Sequence, residues 1–322
     1  MNAIEKRIQE LNLLRPDSSA PEDLDAFWRR TKKEAIQTTY TSSRLNLPTS
    51  MRDMQVISVI YEGFAQTEIH ATLLLPHDAN EQQPCPCLIT FPGYTGSRGQ
   101  PEQFSHWVSR GIAVLTVDVR GQGVDTGNHL GSSHGMVRGW ITENILDLNH
   151  CYYKALSVDI LRAMNWLTHQ PEIDKARIGA IGGSQGGGLA LLLTAMHEDI
   201  SLVVADIPNM CHMDHGVFHS TGSLTEVAEF CRKFPEQLDL VLANLSYFDM
   251  LNLADRLQVP MLVSVGLKDT VCLPEQIFPL YNSAASTDKK LEIYPFTGHT
   301  VEAAQQRKAI EFVCDRFLTS NQ

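Results

Sequence analysis

Residues 177–193 read RIGAIGGSQGGGLALLL, and the rest of the chain is organised around them. Arg177 to Ile181 is a short β-prone run that ends in a glycine pair. Ser184 follows, then Gln185, three more glycines and an apolar run suited to a helix. A strand that stops at glycines, presents one serine and restarts as a helix makes a strand–turn–helix elbow. Such an elbow holds its serine in a strained backbone conformation. Glycines on either side let strand and helix approach where a Cβ would clash. The helix start behind Ser184 aims N–H groups and the positive end of the helix dipole at any oxyanion that forms there. Gly182-Gly183-Ser184-Gln185-Gly186 is the G-x-S-x-G pattern of a serine nucleophile. A plain glycine-rich turn with a buried serine is the competing reading, so the partners of Ser184 have to decide between them.

A serine hydroxyl is a poor nucleophile at its free pKa. It needs a base, and the base needs an orienting acid. Toward the C-terminus, the buried strand Val259 to Gly266 leads into the turn Leu267-Lys268-Asp269. A strand at 290–294 leads into Thr297-Gly298-His299, and no histidine follows it. The order serine, acid, histidine is thus present as Ser184, Asp269 and His299, each after a strand, where ligands meet an open parallel sheet. Asp249 and Asp255 fall inside a helical pattern and are poorer candidates for the acid. Toward the N-terminus, the apolar strand Cys87 to Phe91 runs into Pro92-Gly93-Tyr94-Thr95-Gly96-Ser97-Arg98-Gly99. That loop is placed to supply one oxyanion donor, the main-chain N–H of Tyr94; the main-chain N–H of Gln185 supplies the other. This chemistry requires no cofactor.

At 322 residues the chain is long enough to bury a large core as one domain, 1–322. A hydrophobic content of 43% and a charged content of 20% are those of an ordinary globular protein. The net charge of −11 argues against nucleic acid or an anionic membrane as partner. No run approaches transmembrane length, and the opening MNAIEKRIQELNLL carries charges throughout, unlike a signal peptide. The seven cysteines are scattered, and Cys85-Pro-Cys87 has neither a redox nor a zinc spacing. Reduced thiols in a cytoplasmic protein are expected.

Residues 1–50 read as an N-terminal extension with one helix starting at Pro21-Glu22-Asp23, whose stripe Leu24, Phe27 and Trp28 docks on the body. Residues 54–62 and 68–75 alternate as a β-hairpin pair. A helix around 100–109 and a strand Ile112 to Val117 complete a β-α-β unit, which implies a parallel sheet. The loop to about 139 is long and polar and contains Arg120, His129 and His134. Its length suggests a lid or an interface, Arg120 suggests an ion-paired anchor, and the histidines suggest solvated positions. Residues 150–169 form an amphipathic helix. Strand Ser201 to Ile207 ends at Pro208-Asn209, placed to line a substrate pocket. From about 208 to 245 the pattern is irregularly helical, as a cap-like insertion would be; a further helix starts at Ser246. His212, His215 and His219 share a helical face without a second ligand cluster, so a pocket lining is favoured over a metal site. Helices at 274–283 and 301–318 complete the chain.

Gly182-Gly183-Ser184-Gln185-Gly186-Gly187-Gly188, with glutamine after the nucleophile, resembles the acetyl xylan esterase/cephalosporin C deacetylase group, carbohydrate esterase family seven. Arg120-Gly121-Gln122 is similar to that family's RGQ motif, and Gly93-Tyr94 to its oxyanion loop. Leu245-Ser246-Tyr247-Phe248-Asp249 and Ser264-Val265-Gly266-Leu267-Lys268-Asp269 resemble its text before and at the acid. The resemblance covers nearly the whole chain. It implies an α/β-hydrolase fold, a mostly parallel sheet with helices on both faces. It also implies removal of acetyl groups from short acetylated sugars and cephalosporin-type esters, and a hexamer with the loop after Arg120 at its interface. Two departures stand out. Thr300 replaces the family's glutamate after the histidine, and Thr95 to Gln100 differ from its usual glycine-rich text. A broader small-ester hydrolase or thioesterase on the same fold is the alternative. A peptidase of this fold would carry a large extra domain. A non-catalytic binding protein would be free to lose Ser184 or His299.

Overall fold

The computed structural model describes residues 1–37, 39–133 and 135–319. Two helices precede the sheet, not one. The additional helix, α1 (Ala3–Asn12), starts with a capping box in which the Asn2 side chain accepts the Glu5 N–H at 2.9 Å and Glu5 accepts the Asn2 N–H at 3.0 Å. The second, α2 (Leu24–Gln37), buries the expected stripe. Phe27 and Trp28 pack edge to face against Phe248, and the Trp28 indole donates to the Tyr247 carbonyl at 3.0 Å.

Residues 1–50 are not wholly an extension, because Ser42–Leu47 forms an edge strand, β1, of the main sheet. It is exposed on both faces, which removes the alternation that would announce a strand. The hairpin follows as β2 (Met54–Glu62) and β3 (Glu68–Pro76), paired in register from Met54 opposite Pro76 to Glu62 opposite Glu68. Then come β4 (Cys85–Phe91), the single turn α3 (Ser105–Val108) and β5 (Ala113–Val117). Helix α4 (Tyr152–Leu167) leads to β6 (Ile173–Gly183), α5 (Gln185–Met196) and β7 (Ile200–Asp206).

The insertion holds α6 (Met213–His219), α7 (Leu224–Lys233) and α8 (Leu238–Ser246). Ser246 ends a helix where the sequence suggested a start, and residues Met250–Arg256 are 3-10 instead. Asp249 stands between the two. Its carboxylate takes the N–H groups of His212, Met213 and Leu251, so it ties α6 to this turn and is not inside a helix. The chain closes with β8 (Met261–Gly266), α9 (Pro274–Ser283), β9 (Lys289–Tyr294) and α10 (Ala303–Phe317).

Among the described residues the sheet has nine strands in the order β1-β2-β3-β5-β4-β6-β7-β8-β9. From β5 to β9 all neighbours are parallel; β1, β2, β3 and β5 pair antiparallel. Side chains alternate between two cores. Ala113, Leu115, Cys87, Ile89, Val203 and Val263 join the core under α2, α4, α5 and α9. Val114, Leu88, Leu202, Val204 and Leu262 join the smaller core under α3 and α10. Helices therefore cover both faces, and this is the α/β-hydrolase fold. Strands β4, β6, β7, β8 and β9 are mutually parallel, so their C-terminal ends lie along one edge.

Candidate active site

The elbow forms as its glycines require. Ser184 sits between β6 and α5 at φ 55° and ψ −121°, a region L side chains rarely occupy. That conformation costs about 1–3 kcal/mol and persists only if its surroundings over-determine it. They do. The Ser184 N–H donates to the Asp206 carbonyl at 2.9 Å, and its carbonyl accepts the N–H groups of Asn209 at 2.9 Å and Gly188 at 3.1 Å. A Cβ at Gly186 would stand 2.0 Å from the Phe91 carbonyl oxygen, so only glycine lets α5 start against β4. Behind the turn, the Asp206 carboxylate accepts from the Ser264 hydroxyl at 2.8 Å and the Gln305 carboxamide at 2.7 Å. Burial raises this carboxyl group above its usual range.

The three predicted partners converge. His299 Nε2 lies 3.0 Å from Ser184 Oγ, and its Nδ1 lies 2.8 Å from Asp269 Oδ2. Asp269 is 2% exposed. Its other oxygen accepts the N–H groups of Val271 at 2.8 Å and Cys272 at 2.9 Å, which fixes the carboxylate plane. The two loops lean on each other: Lys268 N–H donates to the Thr297 carbonyl at 3.1 Å. The Thr300 N–H closes a turn onto Gly298 at 2.9 Å, and the Thr297 hydroxyl donates to Glu302 at 2.6 Å. A carboxylate thus braces this turn from Glu302, although Thr300 carries none.

The loop holding Tyr94 reaches the serine. A Cβ at Gly93 would stand 3.9 Å from Ser184 Cβ. Among the described residues, neither the Tyr94 N–H nor the Gln185 N–H has a protein acceptor. Two donors beside a nucleophile are therefore available to an incoming oxygen. The Thr95 N–H, by contrast, is taken by Gln122 Oε1 at 2.7 Å. Gln122 also exchanges bonds with the Gln185 side chain and donates to Tyr152 Oη at 2.8 Å. Arg120 is a fully buried anchor. It forms a bidentate pair with Asp159 at 2.7 and 2.8 Å and donates to the Phe64 carbonyl at 3.0 Å.

Pro208 and Asn209 lie beside the elbow and are buried. Asn209 commits its carboxamide to the Met210 N–H at 2.7 Å and the Ser223 hydroxyl at 3.2 Å, and its N–H to Ser184. Its polar groups brace the turn. Cys272 places its thiol against Ser184, and burial holds that thiol well above its usual range. The His212 and His215 rings stack at 5.0 Å, and the His219 ring lies tilted against His215 at 4.4 Å. Among the described residues no group of three or more His, Cys, Asp or Glu could hold a metal ion. His129 rests on the Gln66 carbonyl at 3.2 Å, and His134 lies outside the described residues. The bridging role of Gln122 and the thiol of Cys272 are not readable from spacing, since their partners are distant in sequence.

Known proteins are similar to this chain in sequence and fold. The chain has a TM-score of 0.92 and 31% identity with the acetyl xylan esterase from Paenibacillus sp. R4, covering 97% of this chain and 99% of that one. With acetyl xylan esterase 1 from Thermoanaerobacterium sp. JW/SL YS485 the TM-score is 0.90 and the identity 27%, covering 96% and 98%. It is 24% identical over 297 residues to the acetyl esterase Axe7A of Xylanibacter ruminicola, covering 89% of this chain and 65% of that protein's length. The family profile described as acetyl xylan esterase (AXE1) matches residues 1–316, and on that match across almost its whole length this chain belongs to the acetyl xylan esterase family.

Proposed function

We propose that the chain is a serine carboxylesterase that removes acetyl groups from short acetylated sugars, with cephalosporin-type acetyl esters as further substrates. The observation that carries the reading is the unbroken relay Ser184 Oγ, His299 Nε2, His299 Nδ1, Asp269 Oδ2, at 3.0 and 2.8 Å, on a strained elbow. The names and likeness of the family's solved members support acetyl as the acyl group and a sugar as the alcohol.

Ser184 Oγ attacks the acetyl carbonyl carbon while its proton passes to His299 Nε2. The buried Asp269 carboxylate holds the imidazole in the tautomer that leaves Nε2 free to accept, then stabilises the imidazolium. The N–H groups of Tyr94 and Gln185 receive the oxyanion. The C–O bond to the sugar breaks, and the sugar oxygen takes the proton from His299. Water, deprotonated by His299, then attacks the acetyl-serine; acetate leaves and Ser184 recovers its proton. The partner is a small acetylated molecule, and no membrane or nucleic acid is needed. Among the described residues, no helix is long and apolar enough to cross a membrane.

Hydrolysis of p-nitrophenyl acetate tests the reading. The wild-type protein turns it over, and Ser184→Ala, with an unchanged unfolding profile, does not. Full activity in Ser184→Ala would remove the triad assignment. A panel of acyl lengths should peak at acetyl or propionyl; a peak at butyryl or longer would remove the deacetylase reading. The chain is also proposed to form a homo-oligomer, a hexamer by family resemblance. Val124 and Met136 in the long loop, 92% and 51% exposed, support an interface there. Light scattering at micromolar concentration tests it, and a monomer would count against it.

A further inference from the structure

Tyr94 meets the proposed oxyanion with its main chain, but its side chain points elsewhere. The phenol O–H donates to Glu226 Oε2 in α7 at 2.7 Å. The phenol oxygen accepts the Trp140 N–H at 3.2 Å, and the two rings meet edge to face at 5.4 Å. Glu226 is 7% exposed and wedged against the chain at Gly139, where a Cβ would stand 1.8 Å from Oε2. One carboxylate therefore joins three segments: the Tyr94 loop, the end of the long polar loop at 139–140, and the cap helix α7.

That carboxylate is placed at a cost. Burial raises its carboxyl group above the usual range. The nearby cation Arg138 is engaged with Glu229 at 3.4 Å and leaves Glu226 only partly compensated. An apolar residue could pack α7 there without desolvating a charge. What the carboxylate supplies instead is a charge-assisted bond, about twice as strong as a neutral one, to the phenol of the residue whose main-chain N–H is the proposed oxyanion donor.

We propose that Glu226 is a positioning residue for acyl transfer, which grips the Tyr94 phenol and so fixes the Tyr94 N–H where the oxyanion forms. The proposal rests on the acetylesterase reading of the same site. A donor displaced by a fraction of an ångström loses much of its effect on a transition state while the ground-state ester binds as before. The contact between α7 and Tyr94 spans 132 positions of sequence, so it also couples the placement of the cap to the oxyanion hole.

The test compares Tyr94→Phe, Glu226→Ala, Glu226→Gln and the double variant Tyr94→Phe/Glu226→Ala. Each is assayed for kcat and KM on p-nitrophenyl acetate, and for inhibition by a trifluoromethyl ketone that forms a tetrahedral adduct with Ser184. Tyr94→Phe and Glu226→Ala are each expected to lower kcat about tenfold, leave KM within about twofold and weaken the ketone by the same factor as kcat. The double variant loses no more than Tyr94→Phe alone, because the bond that Glu226→Ala removes is already absent without the phenol oxygen. Glu226→Gln stays within about threefold of wild type, since its carbonyl still accepts from the phenol. Wild-type kcat in Tyr94→Phe, multiplying losses in the double variant, a loss confined to KM, or Glu226→Gln as poor as Glu226→Ala would each overturn the proposal. If Glu226→Ala does not fold, Tyr94→Phe and Glu226→Gln still decide. A wild-type protein that neither hydrolyses the ester nor is labelled at Ser184 by an organophosphate would sink the esterase reading itself. Labelled, active protein with unaffected variants would sink only the role of Glu226.

Discussion

The carboxamides of Gln122 and Gln185 pair face to face: Gln122 Nε2 donates to Gln185 Oε1 at 3.0 Å, and Gln185 Nε2 donates to Gln122 Oε1 at 3.2 Å. Gln122 Oε1 takes the Thr95 N–H as well, and its Nε2 donates to Tyr152 Oη, which in turn donates to the Arg120 carbonyl at 2.6 Å. One side chain thus spans the loops that carry both proposed oxyanion donors. A buried amide network with every member satisfied fixes a single geometry. It also separates the two parts of Gln185: the main-chain N–H is the proposed oxyanion donor, and the side chain is bound to the scaffold.

Gln122→Ala should therefore impair turnover more than binding. It frees the Thr95 N–H and leaves the Gln185 carboxamide half-paired in a buried site. The expected loss is about ten- to a hundredfold in kcat, with KM nearly constant. The unfolding free energy should fall by about 1–3 kcal/mol, the usual penalty for buried polar groups left without partners. Steady-state kinetics beside a denaturant titration measure both. An unchanged kcat would detach Gln122 from the oxyanion loop.

Gly186→Ala tests the elbow by sterics alone. The added methyl would meet the Phe91 carbonyl oxygen at 2.0 Å, a backbone atom that cannot swing aside. Either α5 moves off β4 or the strand end shifts. A destabilisation above about 3 kcal/mol is expected, at the far end of single substitutions. Thermal unfolding reads it directly. A variant as stable as wild type would mean that strand and helix are not locked together there.

Much of this was legible because it is local. The elbow announces itself through glycines flanking one serine, and β2 and β3 through apolar alternation; all lie where the pattern puts them. Strand β1 was not legible, since a strand exposed on both faces has no alternation to show. Helix α1 was missed although Asn2 and Glu5 carry the signature of a capping box. The helix expected at Ser246 failed for another reason: the apolar run ends α8, and Asp249 then caps a 3-10 turn. In the site, order along the chain brought out Ser184, Asp269 and His299. The Tyr94–Glu226 and Gln122–Gln185 contacts join residues 132 and 63 positions apart, and no periodicity links such pairs.

Asp249 supplies a pH-dependent prediction for stability. It is fully buried, and burial raises its carboxyl group to about 6 despite three N–H donors. A folded pKa above the unfolded one means that the native state holds the proton more tightly. The stabilisation is therefore complete below about pH 4 and is lost as pH rises through about 6. Asp249→Asn removes this titration. The stability of wild type relative to Asp249→Asn should fall across that window by roughly 3 kcal/mol, two pKa units' worth. Denaturant titrations of both proteins at pH 4, 5, 6 and 7 test the sign. A constant difference, or one that grows with pH, would contradict the buried-acid account.

Asp269→Asn separates orientation from charge at the base. Asp269 Oδ1 accepts two backbone N–H groups, from Val271 and Cys272, so an asparagine would keep its carbonyl oxygen there. Its NH₂ would then face His299 Nδ1, where Oδ2 now sits at 2.8 Å. A donor in that place makes Nδ1 the acceptor and puts the ring proton on Nε2. Nε2 could no longer take the proton of Ser184. Turnover of p-nitrophenyl acetate should fall by about a thousand- to ten-thousandfold, with KM little changed, as expected when the wrong tautomer is locked in. Organophosphate labelling of Ser184 should slow by a similar factor, because it needs the same proton transfer. The fold should survive, since the loop keeps both backbone bonds. Near-normal turnover in Asp269→Asn would mean that Asp269 does not set the tautomer of His299, and that the relay seen in the structure is not the one the reaction uses.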